Sequence, residues 1–105
     1  DKVKRFIESD LIKNNLDSKF YKEYEFTYTE NKVLMHGIID LMIENNDEII
    51  IIDYKLKNIN DELYNKQLLG YKRAIGIMTN KKIKTYLYSI IDSKFYNIDD
   101  ILIGI

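Results

Sequence analysis

The stretch IIIIDYKLK, residues 49–57, places four isoleucines directly before an aspartate, and a lysine follows two residues later. A continuous apolar run of this kind is typical of a central strand that is covered on both faces of a sheet. Charged groups are costly in such surroundings. We therefore predict a strand from Glu48 to Lys57 whose far end carries Asp53 and Lys55 for a reason other than packing.

Two more strands are predicted before this run. From Phe20 onward, apolar aromatic residues alternate with polar ones, which favours a strand. Residues 33–44 are dense in Ile, Leu, Met and Val and predict a second strand. The segments TENK (29–32) and NND (45–47) are typical of turns between consecutive strands. Three successive strands joined in this way predict an antiparallel meander.

Helical patterns flank these strands. Residues 2–16 predict one helix, and Asn60 or Asp61 is a suitable cap for a second helix that runs to about Met78. Residues 83–91 predict a fourth strand, while the tail, 92–105, is compatible with a short strand or a helix. The order αβββαβ predicts a single domain over residues 1–105 of the α/β (α+β) class, with a central mixed sheet flanked by helices.

Composition narrows the function classes. The chain has 105 residues, of which 46% are apolar, and its net charge is -1. This net charge gives no electrostatic signature of nucleic-acid binding, but a local basic rim is compatible with it. It has no cysteine, which excludes disulfides, thiolate zinc sites and iron–sulfur clusters. No apolar run approaches the roughly 20 residues of a membrane span. We expect no membrane association and a cytoplasmic location.

The hairpin registers decide which charged side chains share a face. With Asn46-Asp47 as the loop of the second hairpin, Asp40 pairs directly with Asp53, and Lys55 stays on that face. A three-residue loop would instead send Asp53 to the opposite face. Under the two-residue register, these side chains converge.

The first hairpin brings a further carboxylate to this group. With Glu30-Asn31 as its loop, Glu23 lies opposite Ile38, two residues from Asp40 and on the same face. The same register places His36 opposite Glu25. An ordinary pairing of a histidine with a carboxylate then explains His36 better than metal binding does.

Two carboxylates opposite each other in a sheet repel, and burial increases the repulsion. A hard divalent cation would offset it, because Mg²⁺ takes one or two carboxylates and completes its shell with water and substrate phosphate. The structural alternative is an ion pair between Asp53 and Lys55 at a strand end. A D-x-K tripeptide does not distinguish the two, but Asp40 at the end of the neighbouring apolar segment favours the metal.

The second helix carries an unexpected amide. Its apolar face is predicted to consist of Tyr64, Leu68, Tyr71, Ile75 and Met78. Gln67 falls on that face, where an amide needs hydrogen-bond partners. Gln67 therefore either caps a backbone group of the sheet or belongs to a site.

Taken in order, these motifs resemble the PD-(D/E)XK nuclease superfamily, in particular the RecB-like nuclease domain at the C-terminus of AddA and RecB helicase–nucleases. The matching segments cover about residues 5–90 and are Gly37-Ile38-Ile39-Asp40, Asp53-Tyr54-Lys55, Gln67 to Tyr71, and YKEYEF (21–26) with Glu23 and Phe26. The resemblance implies a restriction-endonuclease-like fold and metal-dependent, sequence-independent cleavage of DNA. It also implies a larger helicase–nuclease chain with a partner subunit, and no small-molecule cofactor.

The resemblance also implies a role for each site residue. Asp40, Asp53 and the Tyr54 carbonyl would bind Mg²⁺ or Mn²⁺, and Lys55 would orient water and stabilise the phosphorane-like oxyanion. Glu23 would support the metal ligands, while Gln67 and Tyr71 would position Lys55 or the DNA backbone. These roles are implications of the family and do not follow from the spacing of the residues.

Three departures from the family pattern bear on this expectation. Lys22 and Glu25 stand where the family favours arginine and proline, and Leu56-Lys57 replace polar residues after D-Y-K. The family's upstream histidine helix has no counterpart in this sequence, which suggests a fragment of a larger protein. Two alternatives stay open: a non-catalytic docking or DNA-binding module of the same fold, and a free-standing resolvase or restriction-type enzyme.

Overall fold

A five-stranded mixed sheet carries the isoleucine run at its centre. The computed structural model describes residues 2–56 and 62–98, and within them the side chains of residues 3–56 and 65–98. The elements in chain order are α1 (Lys2–Ile7), α2 (Asp10–Lys13), β1 (Lys19–Glu30), β2 (Val33–Glu44), β3 (Glu48–Lys55), α3 (Glu62–Met78), β4 (Lys82–Ser89) and β5 (Lys94–Asn97). The strand order is β1-β2-β3-β4-β5. None of the helices in this described part is long and apolar enough to cross a membrane.

The sheet has the predicted topology. β1, β2 and β3 form the antiparallel meander, α3 crosses over to β4, which pairs parallel with β3, and β5 then pairs antiparallel with β4. The predicted α+β class with a mixed sheet, compatible with a restriction-endonuclease-like core, is confirmed. β5 supplies the short strand that the tail left open, while residues 99–105 lie outside the described residues, as do the predicted caps Asn60 and Asp61 and the predicted strand end Lys57.

The isoleucine run is buried on both faces, as predicted. Ile49 and Ile51 belong to a core cluster with Leu68 and Tyr71 of α3, on the side that we call the α3 face. Ile50 and Ile52 belong to the opposite cluster, which includes Ile12 of α2 and defines the α1–α2 face. All four isoleucines are at most 4% exposed. Their alternation fixes the faces of β3, so that Asp53 and Lys55 follow Ile49 and Ile51 onto the α3 face.

The predicted helix over residues 2–16 is wrong, because the chain forms two short helices there. The Ser9 hydroxyl donates to the Phe6 carbonyl at 2.7 Å, and the Ser9 amide donates to the same carbonyl at 3.2 Å. Ser9 itself has extended backbone angles and is the N-cap residue of α2. Serine competes in this way with helical hydrogen bonding, and it ends α1 before α2 begins.

The turn of the first hairpin also differs from the prediction. Glu30 pairs with Val33, so that the loop is Asn31-Lys32, and both loop residues have positive φ, 51° and 65°. Two positive φ angles in a two-residue loop match the twist of a hairpin, and asparagine tolerates this conformation well. The register is shifted by two residues, which keeps the same faces. His36 therefore lies opposite Thr27, and its predicted pairing with Glu25 is wrong.

Candidate active site

The two aspartates meet where β2 and β3 separate. The predicted register of the second hairpin is confirmed: the last ladder pair is Leu41 with Ile52, and the Asn45 amide closes the two-residue loop by donating to the Glu48 carbonyl at 3.1 Å. The next position along both strands places Asp40 opposite Asp53. The ladder does not include this pair, so the sheet opens at the two carboxylates.

Side chains replace the backbone ladder at this opening. The Asp40 amide donates to Oδ1 of Asp53 at 3.1 Å, and the Tyr54 amide donates to Oδ2 of Asp40 at 2.8 Å. Asp53 is buried, with 4% of its surface exposed, whereas Asp40 is half-buried. Hydrogen bonds from backbone amides favour the charged form of a carboxylate and offset part of the repulsion between the two.

β1 and β2 share an irregular step at Glu23 and Asp40. Glu23 has a φ of 49° and falls between the pairs Lys22–Leu41 and Tyr24–Ile39, which places it opposite Asp40 rather than Ile38 as predicted. Side chains at odd-numbered positions before this step and side chains at odd-numbered positions after it lie on opposite faces of the sheet. Positive φ is uncommon for a residue with a side chain and is a form of local strain.

The reversal is visible in the packing of both strands. Tyr21 and Tyr24, three residues apart, both pack against the cluster on the α3 face. In β2, Ile39 belongs to the α3-face cluster and Leu41, two residues later, to the opposite one. In a regular strand, residues three apart lie on opposite faces and residues two apart lie on the same face, so both observations depart from regular alternation. Glu23 itself is exposed and lies opposite Asp40 in the register of the two strands.

Tyr71 of α3 covers the edge of β2 that β3 leaves open. Burial raises the pKa of its hydroxyl, a hydrogen bond from the Ile38 backbone opposes that shift, and Asp53 and Asp40 add smaller contributions that raise the pKa. The Tyr71 ring meets the Phe26 ring edge-on, with centroids 5.2 Å apart. The edge of β2 that Tyr71 covers is the one beside the strand positions of Asp40 and Asp53.

Gly37 makes this close packing possible. A Cβ atom at Gly37 would lie 2.6 Å from Cζ of Phe26 and 2.9 Å from Cε1 of Tyr71, closer than real Cβ contacts allow. The absence of a side chain lets both rings pack directly on the β2 backbone. Gly37, the first residue of the segment Gly37-Ile38-Ile39-Asp40, therefore positions Tyr71 over the strand edge.

Tyr54 and Lys55 extend the site along β3. The Tyr54 ring lies on the α1–α2 face, where its centroid is 5.5 Å from that of Phe6, while its backbone amide binds Asp40. Burial raises the pKa of the Tyr54 hydroxyl, and Asp40 and Asp53 raise it further. Lys55 is half-buried, pairs with Ser89 of β4 and lies on the same face as Asp53.

Gln67 does not lie on the core face of α3, so that part of the prediction is wrong. It is exposed, as is Met78, whereas Leu68, Tyr71 and Ile75 are buried as predicted. The prediction assumed that the whole predicted apolar face of the helix is covered by the sheet. In the structure, the β1–β2 hairpin covers only part of that face. Gln67 instead lines an open groove of about 600 Å³ together with His36.

The donor set at the opening suits a magnesium-like ion. Within residues 2–56 and 62–98, no three His, Asp or Glu side chains cluster closely enough to hold a metal by themselves. Mg²⁺ does not require such a cage, because it commonly keeps several waters and binds through one or two carboxylates and a substrate phosphate. The residues that fit this description are Asp40, Asp53 and the backbone of Tyr54.

Sequence reasoning missed the backbone partners of the carboxylates and the groove residues. The signal for the first was present, since two like charges directly opposite each other disfavour continued pairing. No comparable signal marked His36 or Lys66 as groove residues, because the groove forms only where the β1–β2 hairpin lies against α3.

Known proteins provide an independent comparison. No family model matches the chain. It is 38% identical over 79 residues to a protein of Clostridium acetobutylicum, 40% over 96 residues to one of Clostridium kluyveri, and 35% over 128 residues to one of Clostridium botulinum strain Alaska E43. All three are AddA proteins, each named as one subunit of an ATP-dependent helicase/nuclease, and the matches cover 68%, 76% and 97% of this chain.

The relatives are much longer than this chain. It spans 6%, 8% and 10% of the length of these three proteins. The similarity therefore concerns one short region of each relative. Within that region, most of this chain is aligned, and the sequence identity indicates common ancestry. The chain is homologous to a region of the AddA proteins of ATP-dependent helicase/nucleases.

Proposed function

We propose that this chain is a metal-dependent nuclease domain that hydrolyses DNA phosphodiesters as part of a DNA-repair helicase–nuclease. The observation that carries the proposal is the meeting of Asp40 and Asp53 at the opening of β2 and β3, with Lys55 two residues further on the same face. The relatives' name supports it, because it combines helicase and nuclease activities. Since each relative is named as one part of a larger assembly, we also infer a partner protein, together with DNA, for this chain.

Asp40, Asp53 and the Tyr54 carbonyl are the groups that would hold Mg²⁺ or Mn²⁺. Such an ion supplies an acidified water and compensates charge on the phosphate. The backbone amides that bind the two carboxylates keep them in place, and β3, buried on both faces, makes their support rigid. This supports a preorganised site rather than one that forms only around substrate.

Lys55 would contact the reacting phosphate. Its side chain leaves β3 on the same face as that of Asp53 by strand alternation, and its ammonium group would stabilise the negative charge that develops as water attacks phosphorus and the P–O bond breaks. Tyr71 packs on β2 at Gly37, three residues before Asp40, and Glu23 lies opposite Asp40 in the register. No described element carries a recognisable base-reading motif, so we expect cleavage without sequence preference.

A second candidate has an observation of its own. Each aspartate already accepts a backbone amide, so that the pair could serve only to end the β2–β3 ladder in a non-catalytic DNA-binding or docking module. The asparagine variants separate the two candidates, since an amide oxygen still accepts the hydrogen bond but no longer supplies a charged metal ligand. A free-standing resolvase or restriction-type enzyme receives less support, because the relatives are far longer proteins.

The test is cleavage of linear single-stranded and duplex DNA by this chain with Mg²⁺, Mn²⁺ or EDTA. We expect cleavage with either metal, none with EDTA, and none by the Lys55→Ala variant. The matched control is Lys82→Ala, which removes an exposed lysine from the far end of β4. Cleavage that persists in EDTA or in Lys55→Ala would refute the assigned site.

A further inference from the structure

Ser89 is the strand residue directly beside Lys55. The parallel ladder of β3 and β4 ends with the pair Lys55–Ser89, and the Ile90 amide donates to the Lys55 carbonyl at 2.9 Å. Neighbouring strands lie about 5 Å apart, and side chains alternate between the two faces along each strand. Ile51 of β3 and Leu87 of β4 both belong to the α3-face cluster, so Lys55 and Ser89 leave their strands side by side on the α3 face.

The other flank of Lys55 has no paired strand in the described part of the chain. The ladder of β2 and β3 ends at the pair Leu41–Ile52, and the two strands separate from there on. Lys55 follows three residues after Ile52, so β2 does not pair with it. Among the described strands, only β4 can therefore give lateral support to the flexible four-carbon stem of this lysine, and its residue at that level is Ser89.

The side chain of Ser89 is fixed by two hydrogen bonds to one residue. Ser89 is 3% exposed, and a buried hydroxyl requires partners. Its Oγ accepts from the Asp92 amide at 3.1 Å and donates to Oδ2 of Asp92 at 3.2 Å. A hydroxyl that is bound both as donor and as acceptor holds its side chain in one rotamer. Ser89 therefore presents a fixed surface to the neighbouring Lys55.

Tyr96 of β5 anchors Asp92 to the sheet. The Tyr96 hydroxyl donates to Oδ2 of Asp92 at 3.2 Å, and Tyr96 packs against the core cluster on the α3 face. Burial raises the pKa of this hydroxyl, and the charge of Asp92 and the hydrogen bond to it raise the pKa further, so that the tyrosine keeps its proton and remains the donor. The contacts from Tyr96 through Asp92 to Ser89 thus link the rotamer of Ser89 to the core.

We infer that Ser89 is a positioning residue that keeps the side chain of Lys55 beside Asp53. Asp92 and Tyr96 hold Ser89 in place for this role. A long lysine side chain loses less conformational entropy at the moment of reaction if a neighbour already restricts its rotamers. The effect on catalysis rests on the proposed function, whereas the placement of Lys55 can be measured apart from it.

The first measurement needs no cleavage. NMR of this chain with ¹³C-labelled lysine, in EDTA and without DNA, gives the chemical shift and the order parameter of Cε of Lys55, whose signal is assigned by its loss in Lys55→Met. We expect Ser89→Ala and Asp92→Ala to shift this signal and to lower its order parameter. Asp92→Asn keeps an oxygen that accepts from Ser89 and Tyr96, so the Lys55 signal should stay close to that of the parent.

Cleavage kinetics measure what this placement does. With Mg²⁺ and linear DNA, Ser89→Ala and Asp92→Ala should lower kcat about 10- to 100-fold with KM unchanged, because a displaced group loses an effect that it exerts only in the transition state. Asp92→Asn should keep kcat within about 3-fold of the parent. The rates are corrected for the folded fraction from thermal melts. Since Asp92 is exposed, its variants keep the test decisive even if Ser89→Ala does not fold.

Ser18→Ala is the matched control. The Ser18 hydroxyl donates to Oδ1 of Asn15 at 3.4 Å, so that this substitution also removes a serine hydroxyl with a side-chain partner. Ser18 directly precedes β1, at the end of the sheet where Lys19 pairs with Glu44, far from Lys55. Neither the Lys55 signal nor kcat should change in this variant.

Each outcome bears on one of the two proposals. A Lys55 signal that is the same in Ser89→Ala, Asp92→Ala and the parent would overturn the positioning role. A changed signal with an unchanged kcat, or a rise in KM alone, would overturn it too, since Ser89 would then act on the fold or on substrate binding. Equal losses in Asp92→Asn and Asp92→Ala would also overturn it, because the charge of Asp92 rather than its hydrogen bonds would be the cause. A changed Lys55 signal in a parent chain that never cleaves would support the placement of Lys55 and argue against the proposed function.

Discussion

The carboxylates of Asp40 and Asp53 each accept a hydrogen bond from the backbone of the opposite strand. The Asp40 amide donates to Oδ1 of Asp53, and the amide of Tyr54, the residue after Asp53, donates to Oδ2 of Asp40. The exchange takes the place of ladder hydrogen bonds at the point where β2 and β3 diverge. Backbone amides thereby help to keep the two carboxylates close together. The same residues thus have a structural role and a proposed catalytic role that experiments can separate.

Asp53→Asn should separate these roles most clearly. Asparagine keeps an oxygen for the Asp40 amide, so we expect the free energy of unfolding to change by less than about 1 kcal/mol. The loss of a charged metal ligand should reduce Mg²⁺-dependent cleavage by about 100-fold or more. Urea denaturation and a cleavage assay on the same preparation measure both quantities.

The alanine variant provides the comparison. Asp53→Ala leaves the Asp40 amide without an acceptor at a buried position, which should cost about 1–3 kcal/mol. Equal destabilisation by asparagine and alanine would show that the carboxylate charge itself supports the fold. Unchanged cleavage in Asp53→Asn would favour the purely structural role.

Lys55→Met should strongly reduce the cleavage rate while the chain stays folded. Methionine preserves much of the apolar stem of a half-buried lysine but removes its charge. Loss of a group that stabilises the transition state typically lowers the rate about 100- to 1,000-fold. Lys55→Arg is the informative companion, because a planar guanidinium keeps the charge without its geometry. Full activity in Lys55→Met would show that another cation has the proposed role.

The sequence predicted the central part of the fold because its signals are local. Four consecutive isoleucines require cover on both faces. The NND turn left a choice between a two-residue and a three-residue loop, and the structure has the two-residue loop Asn46-Asp47, which places Asp40 opposite Asp53. The first hairpin was less well determined, since TENK allows two loops of equal length. The loop in the structure has asparagine and lysine at positive φ.

Other features depended on long-range packing. Periodicity assigned Gln67 to the core, but whether a helical position is covered depends on how far the hairpin reaches across α3. The reversed alternation at Glu23 has no sequence signature, because glutamate does not favour a positive φ. The sequence around Ser9 fits a continuous helical pattern, and the interruption of the helix is evident only from the hydrogen bond of the Ser9 hydroxyl to the Phe6 carbonyl. In each case the deciding contact is absent from the local pattern.

Gly37→Ala should destabilise the chain and disturb the site. The new methyl group would overlap the rings of Phe26 and Tyr71, and overpacking of this kind costs about 1–3 kcal/mol. Displacement of Tyr71 would also expose the open edge of β2, so cleavage should fall by more than the loss of folded protein explains. Thermal melts and cleavage rates corrected for the folded fraction measure the two effects.

Gly76→Ala is the matched control within the same chain. A Cβ at Gly76 would meet only Cγ1 of Ile83, at 3.9 Å, and the position lies inside α3. Replacing an unstrained helical glycine by alanine should stabilise the chain by about 0.4–1 kcal/mol. Similar effects from both substitutions would contradict the close packing at Gly37.

The ion pair of Glu44 and Lys81 should make stability depend on pH. Nζ of Lys81 lies 2.9 Å from Oε2 of Glu44, and this hydrogen bond, assisted by one from Tyr21, lowers the pKa of the Glu44 carboxyl below its usual value of 4.5, although partial burial opposes the shift. A carboxyl group whose pKa is lower in the folded chain stabilises it fully above the unfolded value. That contribution is lost as the pH falls below about 4.5 through the folded value.

Lys81→Gln removes the cause of this shift. Urea denaturation at pH about 7 should show that the variant has a lower free energy of unfolding than the parent. This difference should narrow as the pH falls below about 4.5 and through the lowered pKa of the folded state, because the carboxyl group then becomes protonated in both states. Lys82→Gln changes the neighbouring exposed lysine and should leave the pH profile as it is in the parent. If the difference in the free energy of unfolding between Lys81→Gln and the parent stays constant from neutral to acidic pH, Lys81 acts through its second hydrogen bond, to the Asn45 carbonyl at 2.8 Å, and not through the charge of Glu44.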